Sequence, residues 1–212
     1  GDKDAKHGLE VLRVYKDHLE NLNNARTAPV SDDDRNLVAD LSLLTEKPVL
    51  FVCNVDEASV LTGNAYSDAV KYALVGTDAS MLIVAGKLEA EIAELETEEE
   101  TMEFLKDYGL LQPSVYMLIR AAYHMLNLHS FFTVGPKEIK AWTIKKGMTA
   151  PEAAGVIHSD LQRGFIRAEV MKYDDFIKYG SENAVKDAGK FKVEGKTYVV
   201  NDGDIMHIRF NV

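Results

Sequence analysis

The chain has 212 residues, of which 46% are hydrophobic and 27% charged, a composition typical of one large or two small globular domains. No apolar run approaches the roughly 20 residues that cross a bilayer, and the polar, charged N-terminus lacks the pattern of a signal peptide. The single cysteine, Cys53, excludes an internal disulfide and is typical of a reducing compartment. We therefore expect a cytoplasmic protein that does not bind a membrane.

The net charge of −10 is unevenly distributed along the chain. Residues 129–212 carry 13 Lys and Arg against 11 Asp and Glu, a balance of +2, whereas residues 1–128 carry 11 against 23, a balance of −12. Because phosphates repel acidic surfaces, only the C-terminal part is suited to contact nucleic acid.

Residues 5–24 show helical periodicity with a narrow apolar stripe formed by Leu9, Leu12, Tyr15, Leu19 and Leu22. A narrow stripe on a charged helix indicates packing against one partner helix, as in a coiled coil. Because no complete second helix precedes this segment, we expect the arm to be poorly ordered or to associate with another copy.

Two strand-and-helix pairs follow. Val49–Cys53 and Met81–Val84 are short apolar runs typical of strands buried on both faces, and each precedes a segment with helical periodicity. This order predicts two parallel strands with crossover helices. Two strands make a poor sheet, so we expect further strands from residues outside this chain.

The pattern changes after Asn127. Residues 130–135 and 138–144 predict a strand pair, and a helix opened by a capping box of Thr149 and Glu152 follows. A strand at 165–172 and a final strand close the chain. This order within about 85 residues is that of a β-grasp, so the fold class is α+β overall, with a partial α/β domain first.

Polar residues stand where the two parallel strands end. Asn54 and Glu57 follow the first strand, and Ala85 and Gly86 follow the second. An Asn amide both donates and accepts, a carboxylate only accepts, and backbone amides donate, so together these groups can bind the edge of a purine ring. A plain surface turn is the alternative interpretation of Asn54–Glu57.

Other candidate sites are less specific. The histidines show no zinc spacing, which favours solvated or core side chains and no metal site. Trp142 is interpreted as a core residue rather than a stacking platform. The basic residues of the C-terminal part form either a nucleic-acid contact or a solvated face; they are Lys137, Lys140, Lys145, Lys146, Arg163 and Arg167. No Gly-x-x-x-x-Gly-Lys-Ser/Thr motif occurs in the 212 residues, so no catalytic residue is assigned.

Several stretches resemble the YchF family, the Obg-like ATPases. They include LLTEKPVLFVCNVDE (43–57), the block from 131 to 170 that contains KEIKAWTI and GFIRAEV, and YVVNDGDIMHIRFNV (198–212). The resemblance implies a ribosome-associated P-loop ATPase that uses Mg-ATP. In it, residues 1–45 would be the second half of a coiled-coil arm, 46–126 the C-terminal part of a G domain, and 127–212 a TGS domain of β-grasp fold.

The resemblance also assigns roles. The fourth motif of the G domain matches at Asn54, Val55 and Glu57, and Ala85 and Gly86 stand at the fifth. It implies a purine nucleotide as ligand, with ATP preferred over GTP and not held tightly by this chain alone, and ribosomal RNA or protein as a partner of the TGS domain. One alternative is a non-catalytic ribosome-binding module, and another is a merely structural β-grasp.

Overall fold

The computed structural model describes residues 3–77, 79–135 and 138–211. The chain divides into two compact units, Gly1–Ala121 and Ala122–Val212, here called the first and the second unit. The fold is mixed α and β, with one sheet in each unit, as the sequence predicts. No helix of the described residues is long and apolar enough to cross a membrane.

The first unit contains two strands and most of the helices. Its strands are β1 (Leu50–Asn54) and β2 (Ser80–Val84), and its helices are α1 (Lys3–Glu20), α2 (Asp32–Leu37), α3 (Ala65–Ala73), α4 (Gly86–Ala93), α5 (Glu98–Asp107) and α6 (Ser114–Met125), the last of which runs into the second unit. Ser31 caps α2, since its side chain accepts from the backbone N–H of Asp34.

Helix α1 buries only part of the apolar stripe that was predicted for it. Val11 and Tyr15 are buried against Ala25, Ala28 and Val38, and Leu19 packs against the same cluster. In contrast, three leucines of the predicted stripe are exposed, namely Leu9, Leu12 and Leu22. The prediction that the stripe lacks an intramolecular partner was wrong for Tyr15 and Leu19, because the segment that follows α1 folds back onto them.

Strands β1 and β2 form a parallel two-stranded sheet, as predicted, with Leu50 level with Ser80 and Asn54 level with Val84. The prediction that β1 is buried on both faces was wrong for the described structure, since Phe51 and Val52 are exposed. Strand side chains point to the two faces of a sheet and are buried only where other elements cover those faces, so the sequence pattern gives the strand but not its burial.

In the residues that the structure describes, the second unit contains a five-stranded sheet and four short helices. The strands are β3 (Leu128–Val134), β4 (Ile139–Lys145), β5 (Phe165–Lys172), β6 (Lys192–Glu194) and β7 (Asp204–Phe210), and the helices are α7 (Ala150–Ile157), α8 (Ser159–Arg163), α9 (Tyr173–Tyr179) and α10 (Glu182–Asp187). The strand order is β4-β3-β7-β5-β6, in which only the β3–β7 pair is parallel.

The capping box before α7 is present, with Oε2 of Glu152 accepting from the backbone N–H of Thr149 over 2.7 Å. The helix that this capping box opens ends at Ile157, and α8 begins at Ser159, because the extended backbone of His158 interrupts the helical conformation.

The sheet of the second unit packs on both faces. Phe131, Ile144, Ala168, Val170 and Met206 belong to the main core, which also contains residues of α7. The opposite face packs against α9 and α10 through a separate cluster formed by Phe132, Met171, Val185 and Ile205. We call these the α7 face and the α9 face.

Candidate functional site

The ends of β1 and β2 bring the two predicted loops together. Because the strands are parallel and Asn54 is level with Val84, residues 54–57 and 85–87 leave the same edge of the sheet. The backbone N–H of Val55 donates to the carbonyl of Val84 over 2.8 Å, which extends the ladder one residue into the first loop.

Asn54 and Gly86 are in direct contact. The backbone N–H of Gly86 donates to Oδ1 of Asn54 over 2.9 Å, and a Cβ at Gly86 would lie only 3.2 Å from that oxygen. The contact fixes the amide plane of Asn54 and leaves its NH₂ group as the free hydrogen-bonding end. The sequence predicts that the Gly86 N–H donates to the purine base of a nucleotide. In this structure that N–H donates to Asn54 instead.

Asp56 and Glu57 have separate tasks. Asp56 caps the short 3₁₀ turn Glu57–Ser59, with its Oδ1 accepting from the backbone N–H of Ser59 over 2.9 Å. This leaves Glu57 to pair with Lys87, whose Nζ lies 2.5 Å from Oε1 of Glu57. Lys87 also lies 3.8 Å from Glu91, one helical turn away. The hydrogen bond that Lys87 donates to Glu57 raises the pKa of Lys87, which is therefore a cation at neutral pH.

Val55 and Ala85 shape the loops rather than present polar atoms. The side chain of Ala85 is buried with Val60 and Leu88, so any contact from this residue to a ligand would come from its backbone. The side-chain groups that could bind a ligand here are therefore the NH₂ of Asn54, which donates, and the carboxylate of Glu57, which accepts. A donor and an acceptor at one sheet edge suit the hydrogen-bonding edge of a purine.

The predicted basic residues do not lie on one surface. Successive side chains of a strand point to opposite faces, so Lys140 shares the α7 face with Trp142, whereas Lys145 lies on the α9 face. Nζ of Lys140 lies 3.9 Å from the centre of the Trp142 ring. Trp142 is half-buried against the core, as predicted, and its Nε1 donates to Thr133 over 2.9 Å.

The other predicted basic residues that the structure describes either do not join Lys140 on the α7 face or have acidic neighbours. Arg167 lies on the α9 face opposite Arg209, because a register shift follows Phe165. Arg163 pairs with Asp160, and Arg167 lies 3.7 Å from Glu169, so acidic neighbours offset both charges. Lys146 follows the end of β4, and Lys137 lies outside the described residues.

Lys87 is not among the residues at the ends of β1 and β2 that the sequence predicts to bind a purine base. Its contact with Glu57 joins residues 30 positions apart, which no local pattern encodes. The signal that could have found it is the parallel pairing itself, since the first residues after two parallel strands meet at one edge.

The chain was compared with known proteins. The family model YchF-GTPase_C, described as a protein of unknown function (DUF933), matches residues 128–211. A relative from Haemophilus ducreyi named "Ribosome-binding ATPase YchF" is 47% identical over 212 residues, which is 100% of this chain and 58% of the relative. One of the same name from Bacillus subtilis is 46% identical over 213 residues, with the same coverage. The structure of the Schizosaccharomyces pombe YchF GTPase superposes with a TM-score of 0.84 at 32% identity, covering 96% of this chain and 55% of that one.

The chain belongs to the YchF family. It corresponds to the C-terminal part of the family members and spans 58% of the length of the curated relatives given above. The match to these relatives extends through both units of the chain.

Proposed function

We propose that this chain forms the purine-binding loops and the ribosome-contacting domain of a cytoplasmic ATPase. Its relatives are named ribosome-binding ATPases, and a solved relative is described as a GTPase. In this proposal the phosphates and Mg²⁺ are held by a P-loop in the part of the relatives that this chain does not span, and the chain supplies contacts to the base.

The single observation that carries the proposal is the pair of contacts Asn54–Gly86 and Glu57–Lys87. Each contact joins the loop after β1 to the loop after β2, at 2.9 Å and 2.5 Å. Loops tied in this way hold their polar atoms in fixed positions before a ligand arrives, which lowers the entropic cost of binding. The alternative interpretation, a surface turn that binds no ligand, does not predict these two contacts to a second loop.

The Glu57–Lys87 pair supports adenine over guanine. Guanine offers two adjacent donors, the N1–H and the amino group, and both oxygens of one carboxylate are needed to accept them. Here Lys87 already occupies Oε1 of Glu57. Binding guanine in that pose would break the ion pair, whereas the amino group of adenine needs one acceptor. The NH₂ of Asn54 can donate to N7 of either purine.

The domain division follows the same proposal. Residues 1–45 form the second half of the helical arm, 46–126 the end of a G domain, and 127–212 a TGS domain. The mixed five-stranded sheet crossed by α7 supports the β-grasp assignment of the last part. The exposed leucines of α1, Leu9 and Leu12, are the surface through which the arm would associate with a second copy.

Ribosome contact is assigned to the second unit because its charge balance permits an approach to phosphates. Residues 129–212 carry +2, against −12 in the preceding part. Among the described residues, Lys145 and Lys146 have no ion-pair partner, which leaves their charges free for a phosphate. This observation also supports the second candidate function, a ribosome-binding module that takes no part in catalysis.

Two polypeptides test the proposal. One is the 212-residue chain, and the other joins it to the N-terminal part found in its relatives. The longer polypeptide is expected to hydrolyse ATP and to co-sediment with ribosomes, while the chain alone does not hydrolyse ATP, because phosphoryl transfer requires the P-loop and Mg²⁺. Hydrolysis by the chain alone that Glu57→Ala abolishes would contradict the proposal. Ribosome binding by a longer polypeptide that has no affinity for ATP would favour the second candidate.

A further inference from the structure

The second unit has a slot within its sheet, beside the C-terminal half of β7. A cavity of about 550 Å³ is lined by the consecutive residues Met206 to Phe210 of β7 and by Thr133 to Gly135 at the end of β3. Successive strand residues point to opposite faces, so a cavity on one face would touch every second residue only. Five consecutive residues line one cavity because it runs along the edge of the strand.

The register explains why this edge is open. Phe132 is level with Ile205 in the parallel β3–β7 pair, so Val134, the last residue of β3, is level with His207. Strand β7 continues to Phe210. Among the described residues, 208–210 pair with β5 on one side and with no strand on the other. Unpaired backbone groups at a strand edge form a template for another strand.

We propose that this slot binds an extended peptide, which adds a strand to β7 along the line that β3 vacates at Val134. The open edge from Ile208 to Phe210 is about 10 Å long at about 3.4 Å per residue, which matches about three residues of an extended chain. In this mode the main chain supplies affinity, and pockets for alternate side chains supply specificity.

The two walls of the slot define the side chains of the peptide. The α7 face presents an apolar wall formed by Trp142, Ile157, Leu161 and Ile208. The α9 face presents His207 and the half-exposed guanidinium of Arg209. A strand added between them would point one set of side chains at the apolar wall and the other at the cation. The partner is therefore a segment that alternates apolar and acidic residues.

The slot favours a peptide over a nucleic acid. Nε and Nη2 of Arg209 donate to the two oxygens of Glu169 over 3.1 and 2.9 Å, which leaves Nη1 for a carboxylate of the peptide. A phosphate backbone has no N–H and C=O groups in the spacing of a strand, and it has no apolar side chains for the wall that contains Trp142 and Leu161. Among the described residues, no strand competes for the open edge of β7 at 208–210. All slot residues belong to the second unit, so the inference does not depend on the proposed nucleotide site.

The probe is a blocked eight-residue peptide of alternating Val and Glu, titrated into the 212-residue chain. Amide hydrogen exchange by NMR is expected to slow at residues 208–210 as the peptide saturates. Two further peptides carry N-methyl groups on all Val amides or on all Glu amides. Because alternate amides of a strand point to the same edge, one of these two peptides should bind about tenfold or more weakly and the other nearly as well as the parent.

Two variants with a matched control locate the site. Phe210→Lys and Leu161→Lys, which place a charge in the slot, are expected to weaken peptide binding about tenfold or more. Ile166→Lys is the control, since Ile166 is as exposed as Phe210 but does not line the slot. Thermal unfolding confirms that each variant is folded, and Phe210→Lys, near the end of its strand, serves if Leu161→Lys does not fold.

Several results would overturn the proposal. They are unchanged exchange at residues 208–210 under saturating peptide, equal binding of both methylated peptides, and equal loss of binding in the Ile166→Lys control. Protection of the same amides by a single-stranded RNA oligomer and not by the peptide would assign the slot to nucleic acid. Sedimentation showing a dimer that Phe210→Lys dissociates would assign it to a second copy.

Discussion

The backbone N–H of Gly86 donates to Oδ1 of Asn54 over 2.9 Å, and this bond ties the end of β2 to the end of β1. The approach is close because residue 86 has no Cβ, which would lie 3.2 Å from the same oxygen. The side chain of Asn54, the last residue of β1, is therefore oriented by the backbone of Gly86, which follows β2. The candidate base site depends on this relationship.

A double-mutant cycle between Asn54 and Gly86 tests the contact. Gly86→Ala is expected to lower the free energy of unfolding of the chain by about 0.5–1 kcal/mol, because the added methyl group displaces the Asn54 amide. The same substitution in an Asn54→Ala background should cost nearly nothing. Denaturant unfolding measures both.

Gly8→Ala is the control for that cycle. Nothing lies within 4 Å of a Cβ at Gly8, and the residue stands inside α1, so alanine should stabilise the chain by about 0.5–1 kcal/mol in either background. Equal effects of Gly86→Ala with and without the Asn54 side chain would show that the two residues are not coupled.

Glu57→Asp tests base preference in the longer polypeptide. The shorter side chain should lose its bond to Lys87 and leave both carboxylate oxygens for the two donors of guanine. We expect the ratio of ATP to GTP affinity to shift toward GTP by about 1–3 kcal/mol, the scale of one hydrogen-bonded discrimination. Competition titration measures the ratio.

Glu91→Asp provides the matched control for Glu57→Asp. Glu91 also lies near Lys87, at 3.8 Å, but on α4 rather than in the loop after β1. Its shortening should leave the ratio of ATP to GTP affinity unchanged. An unchanged ratio in Glu57→Asp itself would remove that carboxylate from the base site.

Lys172 and Asp204 form the buried ion pair of the second unit. Nζ of Lys172 lies 2.5 Å from Oδ1 of the fully buried Asp204, whose other oxygen accepts from Tyr198 over 2.7 Å. Lys172→Met leaves the buried carboxylate without its cation. We expect a loss of about 1–3 kcal/mol of unfolding free energy, less than for a fully buried pair because Lys172 is half exposed. Lys190 and Lys172 line one cavity of about 390 Å³, and Lys190→Met should cost little.

The pair also predicts a pH dependence of stability. Burial alone would lower the pKa of Lys172, but its hydrogen bonds to Asp204 and Tyr198 raise that pKa above the ordinary value of 10.5. A raised pKa in the folded state favours the cation, so the stabilisation is complete below pH 10.5 and is lost as the pH rises through the folded value. Urea unfolding between pH 8 and pH 12 should show a steeper alkaline loss in the parent than in Lys172→Met. Parallel curves would contradict this assignment.

The ribosome contact is predicted to use one face of the second unit only. Lys140 and Lys145 lie on opposite faces, so a single RNA strand cannot contact both in the same way. The cation of Lys140 is already engaged by Trp142. We therefore expect Lys145→Glu with Lys146→Glu to weaken ribosome co-sedimentation of the longer polypeptide, and to reduce its salt dependence by about 0.7 in slope per lost contact. Lys140→Glu is the control. The reverse order of effects would move the contact to the α7 face.

The parallel strand pair and the loops that follow it could be predicted from sequence, because a short apolar run followed by polar residues has one main interpretation. The full buried face of α1 could not be predicted. Tyr15 and Leu19 of the stripe pack inward whereas Leu9 and Leu12 do not, because the partners Ala25, Ala28 and Val38 lie in a segment without regular periodicity. Packing of irregular segments depends on tertiary contacts that no local pattern encodes.

The placement of Lys140 and Lys145 on opposite faces of β4 could be predicted from the sequence. Lys140 and Lys145 are five residues apart on one predicted strand, and an odd separation places two side chains on opposite faces. The Glu57–Lys87 pair, in contrast, depends on the distance between two loops and requires the structure.

The most direct test of the account follows the resonances of the base site during a titration with Mg-ATP. In the longer polypeptide, the side-chain NH₂ of Asn54 and the backbone amide of Gly86 are observed by NMR, with the amide of Gly8 as a distant reference. We expect Mg-ATP to shift the resonances of Asn54 and Gly86 along one saturating binding curve and to leave that of Gly8 unchanged. Saturation of the polypeptide with Mg-ATP while the resonances of Asn54 and Gly86 stay in place would contradict it.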